Sequence, residues 1–161
     1  MEESSRRDLF RTGRDLSALS ATTRREAVGM RTIFGVFLIV HGLIHAMWFI
    51  PEPDNPGGPP WPFGLEDSWL LNAANAPESL VRGLAVTLAV LSVAGFVGAG
   101  LGVLGVPGLA GVWSVLTIAS AVVSLLLVLL FWHLYFIVGL ALDIGLLVAT
   151  IGGRWPSTLV R

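Results

Sequence analysis

Cysteine is missing from this sequence. That removes disulfides, thiolate catalysis, iron–sulfur clusters and thiolate zinc sites together. Lysine is missing too, so all ten basic residues are arginine. Charge of either sign is scarce: 13% of the 161 residues are Asp, Glu, Lys or Arg, where soluble domains carry about 25%. So few charges cannot cover a water-soluble globule of this size. Several motifs of soluble enzymes are also missing. There is no G-x-x-x-x-G-K, no G-x-S-x-G and no H-E-x-x-H. The chain therefore reads as a binding or structural protein more than as an enzyme.

In their place stand long apolar runs. Hydrophobic residues make up 54% of the chain, and the mean hydropathy is +0.77. This is the composition of a membrane protein. Residues 32–50 form a first run, TIFGVFLIVHGLIHAMWFI, long enough as a helix to cross a core of about 30 Å at 1.5 Å per residue. Pro51 and Pro53 stop it. A second run, 78–104, opens after Pro77 with Glu78 in its first turn and ends before Pro107-Gly108. From Leu109 to Ile151 the only charge is Asp143. One helix of that length would be about 64 Å long, twice the hydrocarbon thickness. It must fold back, and Phe131-Trp132-His133 with Tyr135 supplies interfacial residue types for the turn. The spacing predicts helices over 110–131 and 134–152.

The expectation is thus an all-α integral membrane four-helix bundle. A polar Arg-rich arm, 1–31, precedes a transmembrane domain over 32–152, and a tail over 153–161 follows it. The arm reads as solvated, with at most a short helix. A signal peptide fits poorly, because the charged stretch is long and no small-residue cleavage site follows the apolar run. Seven Arg precede the first run and two follow the last, whereas the Pro-rich loop 51–77 holds Glu52, Asp54, Glu66 and Asp67. The positive-inside rule then places both termini in the cytoplasm, the loop outside, and the protein in the plasma membrane as a multi-pass chain. The even number of spans agrees. Within the loop, 67–76 suits a short interfacial helix. The expected partners are the lipid bilayer and either further copies of the chain or a larger membrane complex. Nucleic acid is not expected, because acidic residues are mixed into the arm.

Small residues recur every four positions: Gly98 and Gly102, Ser120 and Ser124, then Ala141, Gly145 and Ala149. Such stripes let membrane helices approach closely. Packing within one bundle is the plain reading, and an oligomer interface is the other.

Ionisable residues within apolar spans are costly and tend to have a purpose. His41 and His45 lie four apart on the first run and so share a face, which Trp48 extends, while Gly42 makes room for a neighbouring helix. Asp143 lies mid-way along the last run. His41 and Asp143 are each about nine residues into their spans from opposite ends, so both fall near mid-depth and meet if the first and last helices touch. His133 sits at the proposed turn. Three readings follow. In the first, His41 bonds Asp143 or a carbonyl and merely fixes helix register. In the second, His41, His45 and Asp143, with His133, bind a transition metal, or a haem or quinone. In the third, they form a proton or solute path. An accessory subunit of a larger complex is a further possibility. Arg82 reads as an interface anchor or a partner of Glu78, and the Trp residues at 48, 61, 69, 132 and 155 as mostly interface anchors, a role that Trp113 also fits at the cytoplasmic start of the third helix.

The run His41-Gly42-Leu43-Ile44-His45-Ala46-Met47-Trp48, with the Ser- and Leu-rich stretch Ser124 to Trp132, resembles small uncharacterised prokaryotic membrane proteins carrying an H-G-L-I-H motif in their first helix. A looser likeness is to DoxX-like four-helix membrane proteins, which place an Arg before helix 1 and a His-Gly inside it. The resemblance spans about residues 31–151. It implies a four-helix bundle and no particular activity. The Arg-rich arm and the Pro-rich loop depart from that compact pattern.

Overall fold

The computed structural model describes residues 2–54, 57, 58 and 60–152, with side chains from Thr23 onward. The tail 153–161, with Arg154 and Arg161, lies outside the described residues. All regular structure among the described residues is helical. Four helices are long and apolar enough to cross a membrane: Thr23–Phe49, Glu78–Leu104, Trp113–Leu130 and Leu134–Ile151.

Helix α1 runs Glu2–Ile44. It begins far ahead of Thr32, because nothing between the N-terminus and Pro51 breaks a helix, and Arg, Glu, Leu and Ala all favour one. Its end tightens into a 3₁₀ turn over His45–Phe49 ahead of Pro51. In the loop, α2 is a short helix, Trp69–Ala73, capped by the Ser68 hydroxyl, which accepts from the Leu71 amide at 3.3 Å. Helix α3 runs Glu78–Leu104 and closes on Gly105, whose φ of 96° suits a residue without Cβ. The Arg31 side chain of α1 donates to the Val103 carbonyl there, placing a cation on the negative end of α3.

Helix α4 is Trp113–Leu130, preceded by turns over 107–112. It ends without Gly or Pro. The loop caps it instead: the Ser68 hydroxyl donates to the Leu130 carbonyl and the Trp69 indole to the Leu129 carbonyl, both at 2.8 Å. These are orphan carbonyls of a helix C-terminus. Phe131–His133 then turns the chain, a 3₁₀ segment spans Leu134–Phe136, and α5 follows as Ile137–Ile151.

The helices pack in ring order α1, α3, α4, α5, and α1 and α5 make little backbone contact across the remaining seam. Where α1 crosses α3, a Cβ on Gly100 would lie 2.6 Å from the Gly35 carbonyl oxygen, and one on Gly42 2.8 Å from Phe96. Close approach at these glycines sets the crossing. Gly98 and Gly102 face Leu116, and Leu109 with Trp113, of the same chain. That stripe is therefore used within the bundle. A Cβ on Gly145 would meet nothing within 4 Å.

Outward surfaces are apolar, with Ile33, Val138 and Val148 more than two-thirds exposed. Patches of this kind suit lipid rather than water. Inside, two apolar clusters stack along the bundle. Trp48, Ala85, Leu127, Phe131 and Phe136 belong to the cluster toward the 51–77 loop. Phe34, Leu38, Phe96, Trp113 and Leu146 belong to the other. Trp48 is thus a core residue, 3% exposed, and not an interface anchor. Arg82 pairs with Glu66, rather than Glu78, at 3.1 Å on the surface, where such pairs add little stability.

Candidate functional site

Between the two apolar clusters lies a layer of buried polar side chains: His41, His45, Ser92, Ser124 and Asp143. Each helix contributes at the level where its apolar sequence is interrupted. On α1 and the 3₁₀ turn that ends it, His41 and His45 fall between Leu38 and Trp48. On α3, Ser92 falls between Ala89 and Phe96. On α4, Ser124 falls between Ala121 and Leu127, and on α5, Asp143 between Phe136 and Leu146.

Four of the five are joined in one network. His41 Nε2 lies 2.9 Å from Asp143 Oδ1. Ser124 Oγ lies 2.5 Å from Asp143 Oδ2, and His45 Nε2 lies 2.7 Å from Ser124 Oγ. His45 Nδ1 is 3.1 Å from the His41 carbonyl oxygen. Asp143 is fully buried, so both its oxygens are satisfied by protein groups alone. Unsatisfied, they would carry a heavy desolvation penalty. The rings are also fixed by packing: His41 stands edge-on to Phe96 at 4.7 Å and stacks on Phe37 at 5.9 Å.

Counting hydrogens defines the chemistry further. A carbonyl only accepts, so His45 Nδ1 carries a hydrogen and donates it to His41. Ser124 has one hydroxyl hydrogen but two short contacts, to His45 and to Asp143. The hydroxyl thus bridges the imidazole of His45 and the carboxyl group of Asp143.

His41, His45 and Asp143 also form the one group of possible metal ligands found among the described residues, their ligand atoms all lying within 4.8 Å of one another. His133 stands apart from it. Its Nδ1 accepts from the Tyr135 amide at 3.3 Å and caps the 3₁₀ segment before α5. The turn that carries His133 belongs to the loop end of the bundle, whereas the polar layer is at mid-depth. Two serines of that layer were not singled out by the sequence as site residues. Ser124 is central, and counting its depth along α4, as for His41 and Asp143, puts it at the same level. Ser92 is buried with no hydrogen-bond partner.

Beside the network is a chamber of about 310 Å³. His41, His45 and Ser124 line its polar end, and Trp48, Phe63 and Phe136 its aromatic wall. Asp143 lies behind them, out of contact with the chamber.

Comparison with family models, with curated proteins and with solved structures finds no match to this chain. The class is set by the fold itself: an all-helical chain with four span-length apolar helices, the make-up of a multi-pass membrane protein.

Proposed function

We propose that this chain is a plasma-membrane protein, both termini cytoplasmic, whose bundle holds a transition-metal ion in its mid-depth polar layer. The supporting observation is the convergence of three buried ligand side chains, two imidazoles and a carboxylate, from α1, the 3₁₀ turn that follows it and α5. This donor set suits a borderline ion such as Zn²⁺, Cu²⁺ or Fe²⁺. Ligand atoms round a tetrahedral ion sit about 3.3 Å apart, so closing the group on an ion requires a shift of order 1 Å. Ser124 lies in position to give a fourth oxygen or to orient Asp143. Ligation needs unprotonated nitrogen and oxygen, so protons compete with the ion for these three side chains. The likeness to H-G-L-I-H membrane proteins supports the bundle and is silent on the ion.

The test is elemental analysis of detergent-purified protein after loading with each of the three ions. One ion per chain is expected, lost in His41→Ala and in His45→Ala and kept in His133→Ala. No bound ion, or binding indifferent to His41 and His45, overturns the reading.

A second reading, a proton path, draws on the unbroken line Asp143–Ser124–His45. Its test is proton flux in liposomes, which must fall in Asp143→Asn. Flux indifferent to that change removes it.

A further inference from the structure

A second cavity of about 600 Å³ lies under the 51–77 loop. Its character is opposite to that of the inner chamber. Glu52, Glu66, Asp67 and Arg82 all line it. Three carboxylates against one guanidinium leave two negative charges in excess, and the Arg82–Glu66 pair accounts for one of the three.

Trp48 and Phe63 line both cavities. Their rings meet edge to face, with centroids 5.8 Å apart. The acidic vestibule and the chamber at His41, His45 and Ser124 are therefore separated by one layer of two aromatic side chains. Trp48 is anchored, packing against Phe131 at 5.3 Å and Phe136 at 5.8 Å. Phe63 packs as closely, against Trp61 at 5.3 Å and Phe136 at 5.4 Å, but it comes from the irregular loop and is only partly buried, so of the two it is the ring whose displacement would join the cavities.

The chamber also opens between α1 and α5, past the exposed Ile44, Tyr135 and Val138; from the shared aromatic wall we infer that water and small cations reach the buried centre from the vestibule, past Phe63. The inference deepens the metal reading, on which its purpose rests, by naming the side of approach and the sign of the solute. Two physical effects favour a cation. Carboxylates in a cleft with low-dielectric walls raise the local concentration of positive solutes. The aromatic faces that follow attract a partly desolvated cation and repel an anion. A carbonyl- or lipid-borne ligand has no use for either.

The absence of cysteine makes the route measurable. A Cβ on Gly139, which lines the chamber, meets nothing within 4 Å. Gly139→Cys thus places a single thiol in the chamber without crowding it. In nanodiscs, that thiol is challenged with a trimethylammonium methanethiosulfonate, a sulfonate methanethiosulfonate and neutral N-ethylmaleimide. Rates are normalised to those of Ala74→Cys on the exposed loop surface. Thiolates form in water, so labelling by a charged reagent reports an aqueous path.

The cationic reagent is expected to react about 10-fold faster than the anionic one, the lower end of electrostatic focusing. Glu52→Gln combined with Asp67→Asn should reduce that preference several-fold. Phe63→Leu should speed both reagents, and Phe63→Ala serves the same purpose should the leucine still block the way. Labelling by N-ethylmaleimide alone, by none of the three, or by both charged reagents at equal rates that ignore Phe63 overturns the route. Because no metal takes part, failure here leaves the metal reading to its own test, and the converse also holds.

Discussion

His41 and Asp143 stand 102 residues apart and 2.9 Å from each other, on two helices that otherwise make little backbone contact. Their hydrogen bond is a polar link across the one open seam of the bundle. A single interhelical bond of this kind is worth only about 0.6 kcal/mol in membranes. The pair matters more through what it satisfies, a carboxyl group with no access to water.

Removing the serine in the middle of the network tests that directly. Ser124→Ala leaves both His45 Nε2 and Asp143 Oδ2 without their partner. The cost should be about 1–3 kcal/mol, visible as a fall of several degrees in thermal unfolding in detergent. Ser92→Ala is the matched control. Its hydroxyl is buried and already unpartnered, so its loss should leave the unfolding midpoint unchanged or raise it slightly.

A structural role and a ligand role for Asp143 respond differently to amide replacement. Asp143→Asn keeps the shape and can still bond His41 and Ser124. Its stability should lie within about 1 kcal/mol of the parent. Affinity for the ion should nevertheless drop by more than the 10- to 100-fold typical of outer-shell changes. Equal loss of both properties in Asp143→Asn would show that the carboxyl group serves packing only.

The α1–α3 crossing should not tolerate even a methyl group. In Gly100→Ala the new Cβ meets the Gly35 carbonyl, which is backbone and cannot rotate away. A loss of about 1–3 kcal/mol is expected. Gly145→Ala, with open space around it, should fall within about 0.5 kcal/mol of the parent. Thermal unfolding of the two variants side by side is sufficient.

The loop caps α4 from 60 residues away. Ser68→Ala and Trp69→Phe each free one terminal carbonyl, at a cost of about 1 kcal/mol. Amide hydrogen exchange across Phe131–His133 should speed up in both, while exchange in the middle of α4 stays slow.

The apolar helices were legible because lipid forces long unbroken runs, and the level of His41 and Asp143 because helix rise converts residue count into depth. That reasoning put the two at mid-depth in spans whose contact the sequence left open. It did not single out Ser124, since a serine in a small-residue stripe looks the same whether it packs or bonds. It read Trp48 as an interface ring, because a tryptophan near the end of an apolar run has the same appearance in either place. Its burial depends on Phe131 and Phe136 folding back from the far end of the chain. The end of α4 was hard to place because the groups that cap it belong to a different segment. The length of α1 was misjudged for a local reason: Arg-rich sequence signals solvation, and solvation does not oppose a helix.

Only Asp143 and Leu146 are buried on α5. This helix follows α1, α3 and α4 in the chain, and an aspartate at its centre costs about 2.5–3.5 kcal/mol against insertion. Hydrocarbon alone is thus a poor resting place for it. The carboxyl group becomes tolerable once His41 and Ser124 are in place to receive it. Until both partners reach Asp143, α5 presents an acid to its apolar surroundings, so the polar layer ties the placing of this helix to that of α1 and α4.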